Sequence, residues 1–77
     1  MMRELIEFVA RSLVDDPAAV QVHEHRSAST IVYQLQVARD DVGKVIGKHG
    51  RTAHALRLLL SASAQHRGCK AVLEIKE

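Results

Sequence analysis

Aromatic side chains are nearly absent from this chain of 77 residues, which contains Phe8 and Tyr33 but no tryptophan. RNA-recognition-motif domains stack bases on several exposed rings of a sheet. Two isolated rings do not supply such a platform, so the composition excludes that class.

Cysteine and long apolar runs are also scarce. Cys69 is the single cysteine and has no partner for an internal disulfide, which is typical of proteins in a reducing compartment. No apolar run approaches the ~20 residues that a membrane helix requires. Glu4 and Glu7 fall where a signal peptide would be basic and then apolar. We therefore expect a soluble cytoplasmic protein that does not associate with membranes.

Acidic residues are missing from residues 42–70, whereas that segment has six lysines and arginines and hence a net charge of +6. Residues 1–16 have four acids against two arginines and hence a net charge of −2. A local positive field attracts polyanions, but a solvated helix face has the same composition. Charge alone leaves both interpretations open.

Hydrophobic periodicity predicts six elements, because apolar residues recur at spacings of three and four in helices and of two in strands. We expect helices at residues 2–14, 42–46 and 51–65, and strands at residues 19–26, 30–38 and 70–76. The two first strands are separated by a short turn and should form a hairpin. This order predicts an α+β fold, α-β-β-α-α-β, with the helices packed on one face of a three-stranded sheet. Residues 1–77 should form a single domain.

The helix faces can be predicted in more detail. Asp40 or Asp41 is a candidate N-cap of the second helix, because a short carboxylate accepts from free backbone N–H groups. In the third helix we expect these side chains to face inward: Ala55, Leu56, Leu59 and Leu60. Another group lies off that stripe and forms either a partner surface or part of a broad buried face: His54, Leu58 and Ala62.

The most informative segment is residues 45–53, which read V-I-G-K-H-G-R-T-A. Gly47 and Gly50 allow a tight turn between two helices without a Cβ clash. The free N–H groups at the start of the following helix favour a phosphate, and Lys48, His49 and Arg51 add donors and positive charge. Two glycines near a helix end are commonly a simple connection, so the spacing becomes informative only with the surrounding cations and elements.

In that context the segment resembles the KH signature, an apolar residue followed by I-G-x-x-G and a further apolar residue, here the small Ala53. The preceding helix and hairpin resemble the type II, or prokaryotic, KH arrangement. The resemblance covers nearly the whole chain and is strongest to small stand-alone bacterial RNA-binding KH proteins. Those proteins share the V-I-G-K-H-G-R-T-A run and a first helix that ends near a Val-Asp-x-Pro stretch, here residues 14–17.

The resemblance implies that the chain binds about four nucleotides of single-stranded RNA. The implied grip on the RNA backbone consists of Gly47, Lys48, His49 and Gly50, assisted by Lys44 and Arg51. The implied base-binding groove draws on Val42, Val45, Ile46 and residues of the second strand. A small Ala53 predicts a shallow groove.

A site of this size implies weak binding, so function should depend on a second KH unit that raises avidity. The resemblance implies a homodimer, a heterodimer with a larger KH–R3H protein of the Jag type, or both. The expected role is that of a post-transcriptional regulator or RNA chaperone. The alternative is a KH-fold module that acts mainly through protein assembly and binds RNA only secondarily.

Other chemistries have less support. A nucleotide-binding P-loop requires four residues between its glycines, whereas Gly43 and Gly47 are separated by three. The pairs His23 with His25 and His66 with Cys69 do not supply four zinc ligands at a recognised spacing. No nucleophile and base are arranged for catalysis, so we expect neither enzymatic activity nor a metal or cofactor.

Overall fold

The computed structural model describes residues 2–77. Its helices are α1 (Met2–Leu13), α2 (Val42–Ile46) and α3 (Arg51–His66), and its strands are β1 (Gln21–Ser27), β2 (Thr30–Gln36) and β3 (Lys70–Lys76). Short 3₁₀ turns precede β1, α2 and α3, at Pro17–Ala19, Arg39–Asp41 and Lys48–Gly50. The predicted α-β-β-α-α-β order is confirmed. No helix within residues 2–77 has the length and apolar composition to cross a bilayer.

The three strands form one sheet in the order β1-β2-β3. β1 pairs antiparallel with β2, with Val22 opposite Leu35, so the predicted hairpin is confirmed. β2 pairs in parallel with β3, with Tyr33 opposite Leu73. A parallel pair needs a long crossover connection. Helices α2 and α3 and the loop between them supply this crossover.

The helices pack on one face of the sheet. The alternation in β2 directs Ile31, Tyr33 and Leu35 into the core, where their exposure is 6% or less. Ile6 of α1 and Leu60 of α3 pack against them and are also buried. On the other face of the sheet, no helix of the described chain covers the exposed side chains of His23, His25, Val72 and Glu74.

The buried stripe of α3 differs from the predicted one. Leu56 and Leu60 are buried as expected, but Ala55 is exposed and Leu59 is 53% exposed. The helix instead buries Ala53 and Ala64, whose small side chains allow it to lie close to its neighbours. The three-four spacing of residues 53, 56, 60 and 64 excludes Leu59, because each residue turns the helix by about 100°. In α1, Leu13 of the last turn is 40% exposed.

The predicted capping of α2 by a carboxylate is wrong. Asp41 occupies the N-cap position, but its side chain makes no capping hydrogen bond. The 3₁₀ turn at Arg39–Asp41 supplies a backbone partner instead, since the N–H of Val42 donates to the carbonyl of Arg39. The carboxylate of Asp41 is therefore available for the chain that follows α1, where it accepts from the N–H groups of Asp15 and Asp16.

Candidate nucleic-acid interface

The bend between α2 and α3 has three positions with a positive φ angle. Gly47 has φ +82°, His49 has φ +58° and Gly50 has φ +73°. Glycine adopts such angles without steric cost. At Gly47 a side chain would also collide with Thr52, because an added Cβ would lie 2.8 Å from Thr52 Cβ and 2.9 Å from its amide nitrogen. An added Cβ at Gly50 would meet nothing within 4 Å.

Two hydrogen bonds donated by the glycines hold the backbone of the bend. The N–H of Gly47 donates to the carbonyl of Gly43, and the N–H of Gly50 donates to that of Gly47, both at 3.0 Å. Lys48 and His49 lie between these two glycines, and both are exposed. The bend therefore presents exposed residues beside the N-terminus of α3, which is a favourable environment for an anion.

Three of the predicted cationic groups surround this bend. Lys48, His49 and Arg51 are exposed, and none of them forms an ion pair with a carboxylate of the described chain. The positive charges of Lys48 and Arg51 are consequently uncompensated within the described chain. The structure thus brings together five of the predicted site residues, namely those at positions 47–51.

Lys44 is in a different situation. Its Nζ lies 2.8 Å from Asp15 Oδ2 and 3.2 Å from Asp41 Oδ1, so two carboxylates already compensate its charge. The hydrogen bond to Asp15 and then that to Asp41 raise the pKa of Lys44. Burial of Asp41 opposes ionisation, but donors from Asp15, Asp16 and Lys44 outweigh this effect and hold its pKa below the ordinary value. Both groups are therefore charged at neutral pH.

The predicted apolar residues of the groove are unequally accessible. Ile46 is 37% exposed and lies directly before the bend, and Val42 is half-buried. Val45 is 1% exposed and belongs to the core, where it holds α2 against the rest of the fold. The helix-facing side chains of the second strand are buried, because β2 is the central strand, and the part of this strand in a groove stays a prediction. The strand beside α3 with an unpaired edge is β3.

One residue near this surface was missed in the sequence. Arg57 is exposed, and its Nη2 donates to the carbonyl of Leu73 in β3 at 3.3 Å. Arg51, His54 and Arg57 recur at a spacing of three, which places successive basic groups along neighbouring turns of one helix. That spacing could have identified Arg57. Further along, α3 and the start of β3 border a shallow cleft lined by Ser61, Gln65, Cys69, Lys70, Ala71 and Val72.

The comparisons with known proteins agree with this architecture. The family described as "KhpA/KhpB, KH domain" matches residues 3–75. An "RNA-binding protein KhpA" from Treponema pallidum is 53% identical over 75 residues, covering 97% of this chain and 94% of the relative. Proteins of the same name from Chlamydia trachomatis and Clostridium perfringens are 43% and 46% identical. Those alignments cover 99% and 96% of this chain, and 97% and 99% of the respective relatives.

These matches extend over almost the whole chain and include the strands, the helices and the bend. They confirm the resemblance to the KH signature and to the small bacterial RNA-binding KH proteins. The α+β arrangement, with helices on one face of a three-stranded sheet, is that expected for the type II fold. The chain therefore belongs to the KhpA/KhpB KH domain family.

Proposed function

We propose that this protein binds single-stranded RNA and that the loop Gly47-Lys48-His49-Gly50 holds the sugar-phosphate backbone. The observation that carries the proposal is the exposed bend beside the N-terminus of α3, where Lys48 and Arg51 form no ion pair with an acid of the described chain. The relatives named RNA-binding proteins support the same class of ligand. KH domains use a G-x-x-G loop to hold about four nucleotides.

In the proposed complex, a phosphate accepts hydrogen bonds from the amides of Lys48 and His49. The ammonium of Lys48 and the guanidinium of Arg51 stabilise the phosphate charge, since charge-assisted hydrogen bonds are stronger than neutral ones. Ile46 provides an apolar contact for a base next to the bend. Val45 contributes by supporting α2 from within the core. Arg57 lies further along α3 and supplies a positive charge beside β3.

Such binding suits a post-transcriptional regulator or RNA chaperone. The grip that we propose contacts the backbone, which is the same in every RNA, and backbone contacts carry no direct sequence information. A chaperone or a regulator with many RNA targets requires this kind of weakly discriminating contact.

Exchange of Lys48 and His49 for aspartate tests the proposal. In the Lys48→Asp/His49→Asp variant two negative charges face the phosphate, so we expect binding of a single-stranded RNA oligonucleotide to be lost. Both side chains are exposed, and surface substitutions of this kind usually change stability by less than about 0.5 kcal/mol. The measurements are fluorescence anisotropy with a labelled oligonucleotide and circular dichroism of the free protein.

The matched control makes the same charge change on the far face of the sheet. His25 and Lys76 are both exposed there, and the His25→Asp/Lys76→Asp variant should keep most of the affinity. If the loop variant binds as tightly as the parent while remaining folded, the loop is not the site of RNA binding. If both variants lose affinity equally, net charge rather than the loop governs binding.

An exposed apolar face on α3 supports a second role, in assembly. Leu58 and Leu59 are 58% and 53% exposed, and Ala55 and Ala62 are exposed beside them. His54 and Ala62 were predicted together with Leu58 as part of either a partner surface or a buried face, and the structure places all three at the surface. We propose that this face, the α3 apolar face, contacts a second copy of the chain or the KH domain of a larger Jag/KhpB-type protein.

The alternative function is a module whose main task is this assembly. The uncompensated cation at Lys48 favours RNA binding over a purely structural role, because it lies in the loop and outside the α3 apolar face. Sedimentation velocity at several concentrations tests the assembly itself. A dimer is expected, and a monomer at every concentration would contradict self-association through α3.

A further inference from the structure

Asp41 is an unusual residue in this protein. Among residues 2–77 it is the one charged side chain that is buried, with 2% exposure. Its carboxylate accepts from the N–H of Asp15 at 3.2 Å and from the N–H of Asp16 at 3.1 Å. It also accepts from Nζ of Lys44 at 3.2 Å. A buried carboxylate requires such donors, because an uncompensated buried charge is strongly unfavourable.

These contacts join two distant parts of the chain. Asp15 and Asp16 follow α1, whereas Asp41 and Lys44 lie at the start and in the middle of α2. Lys44 strengthens the connection with a second ion pair, at 2.8 Å, to the exposed carboxylate of Asp15. We call these three side chains, Asp15, Asp41 and Lys44, the α1–α2 anchor.

Helix α2 depends on outside support for its orientation. It has five residues, and its C-cap is Gly47, the first residue of the proposed RNA-binding loop. So short a helix is not stable by itself, since isolated helices shorter than about 12 residues are marginal in water. Val45 fixes its inner side in the core. The anchor fixes its N-terminal end, and the orientation of the loop follows from both.

We propose that Asp41 and Lys44 are positioning residues for RNA binding, and that Lys44 acts through its carboxylate partners instead of contacting a phosphate. The proposal rests on RNA binding by the loop and assigns a different role to Lys44 than to Lys48. Lys48 has no acidic partner in the described chain, whereas Lys44 has two.

A positioning role and a direct electrostatic contribution to RNA binding predict different effects of substitution. Removal of an acidic group near an RNA-binding surface normally strengthens binding, because the positive potential increases. If Asp41 positions the loop, its neutral isostere should instead weaken binding. Similarly, a lysine that contacts phosphate contributes about 0.7 to the slope of log affinity against log salt concentration for single strands. A positioning lysine contributes nothing to that slope.

The experiment measures affinity for a single-stranded RNA oligonucleotide at several salt concentrations, for the parent and four variants. The variants are Lys44→Gln, Asp41→Asn, the double variant of both, and Lys48→Gln as the contact control. We expect Lys48→Gln to reduce the salt slope by about 0.7. Lys44→Gln and Asp41→Asn should each weaken binding with an unchanged slope. The double variant should bind no more weakly than Asp41→Asn alone, because the two residues act as one unit.

Two results would overturn the proposal. One is a reduction of the salt slope by Lys44→Gln equal to that of Lys48→Gln, which would make Lys44 a phosphate contact. The other is unchanged or tighter binding by Asp41→Asn in a folded protein. Asp15→Asn keeps the experiment decisive if Asp41→Asn does not fold, because the Asp15 carboxylate is 83% exposed. Weaker binding by Asp15→Asn supports positioning, and tighter binding contradicts it.

Failure of the proposed RNA binding can be distinguished from failure of the positioning role. If the parent does not bind RNA, the proposed function is wrong, and the anchor is then tested in the free protein by amide chemical shifts. Lys44→Gln should shift the Gly47 and Gly50 amides, and Lys44→Arg, which keeps a donor for both carboxylates, should largely restore them. Unshifted loop amides in Lys44→Gln would show that the anchor does not position the loop.

Discussion

Gly47 and Gly50 are the two glycines of the KH signature, but the structure constrains them differently. Gly50 has left-handed backbone, with φ 73° and ψ 13°, which costs a residue with a Cβ about 1–2 kcal/mol. Gly47, with φ 82° and ψ 169°, lies in a region that essentially only glycine adopts. Gly47 additionally faces Thr52, whereas the space beside Gly50 is open. The sequence pattern identifies both glycines, but it does not show that Gly47 is packed against Thr52 whereas Gly50 has open space beside it.

The predicted consequence is a difference in stability between two alanine variants. Gly50→Ala should lower the free energy of unfolding by about 1–2 kcal/mol, the cost of the left-handed backbone. Gly47→Ala should lower it further, because Thr52 or the start of α3 must move to relieve the collision. Chemical denaturation followed by circular dichroism measures both. Equal losses in the two variants would show that the contact with Thr52 is unimportant.

The hydrogen bonds of Asp41 were not predictable from local sequence. An aspartate before a short helix is typical of an N-cap, and Asp41 does stand at that position. Its two backbone hydrogen-bond donors, however, come from 25 and 26 residues earlier in the chain. Contacts over such a separation depend on how α1 and α2 pack, and a pattern of neighbouring residues does not contain that information.

At the scale of elements, the strands were predicted more accurately than the faces of the helices. Alternation in β2 identified its buried side chains, because a strand has two faces and a period of two. The leucine run of α3 is ambiguous, since three consecutive leucines at 58–60 span a wide arc of the helix. Packing selected Leu60 together with Ala53 and Ala64, whose small side chains gave no strong signal.

Because packing buries Leu60, Leu58 and Leu59 remain at the surface, and a prediction about assembly follows. In the Leu58→Glu/Leu59→Glu variant, charge is placed on the α3 apolar face, so a dimer formed through that face should dissociate. Both side chains are more than half exposed, and the monomer should therefore remain folded. Sedimentation velocity measures the change in mass.

Phe8 supplies the control for this prediction. It is 70% exposed on α1, so Phe8→Glu also exchanges an exposed apolar group for a charge but lies on another helix. This variant should sediment like the parent. Dissociation by Phe8→Glu, together with an intact dimer in the α3 variant, would place the contact on α1 instead.

At the scale of the whole molecule, charge and topology converge on the same region. The segment of residues 42–70 has six cationic side chains and no acid. It folds into α2, the bend, α3 and the start of β3, which together form the crossover between the parallel strands. Lys44 is paired with Asp15 and Asp41, so the uncompensated charge lies toward the bend and the exposed side of α3.

The fold was predictable at this scale because each element had a regular hydrophobic pattern and the signature segment fixed the connection between α2 and α3. The accessible edge of the sheet was not predictable, since the order of strands depends on the parallel pairing of β2 with β3. That pairing buries β2 and leaves β3 beside α3. It therefore decides which strand has an unpaired edge beside α3.

The most direct test of RNA binding by the loop is a titration of the parent protein with a short single-stranded RNA, followed by amide chemical shifts. We predict that the amides of Lys48 and His49 shift most, together with the first turn of α3. The shifts should decrease as salt is raised, because phosphate contacts release counterions. Shifts confined to the far face of the sheet, around His23 and Glu74, with an unchanged loop would contradict the account.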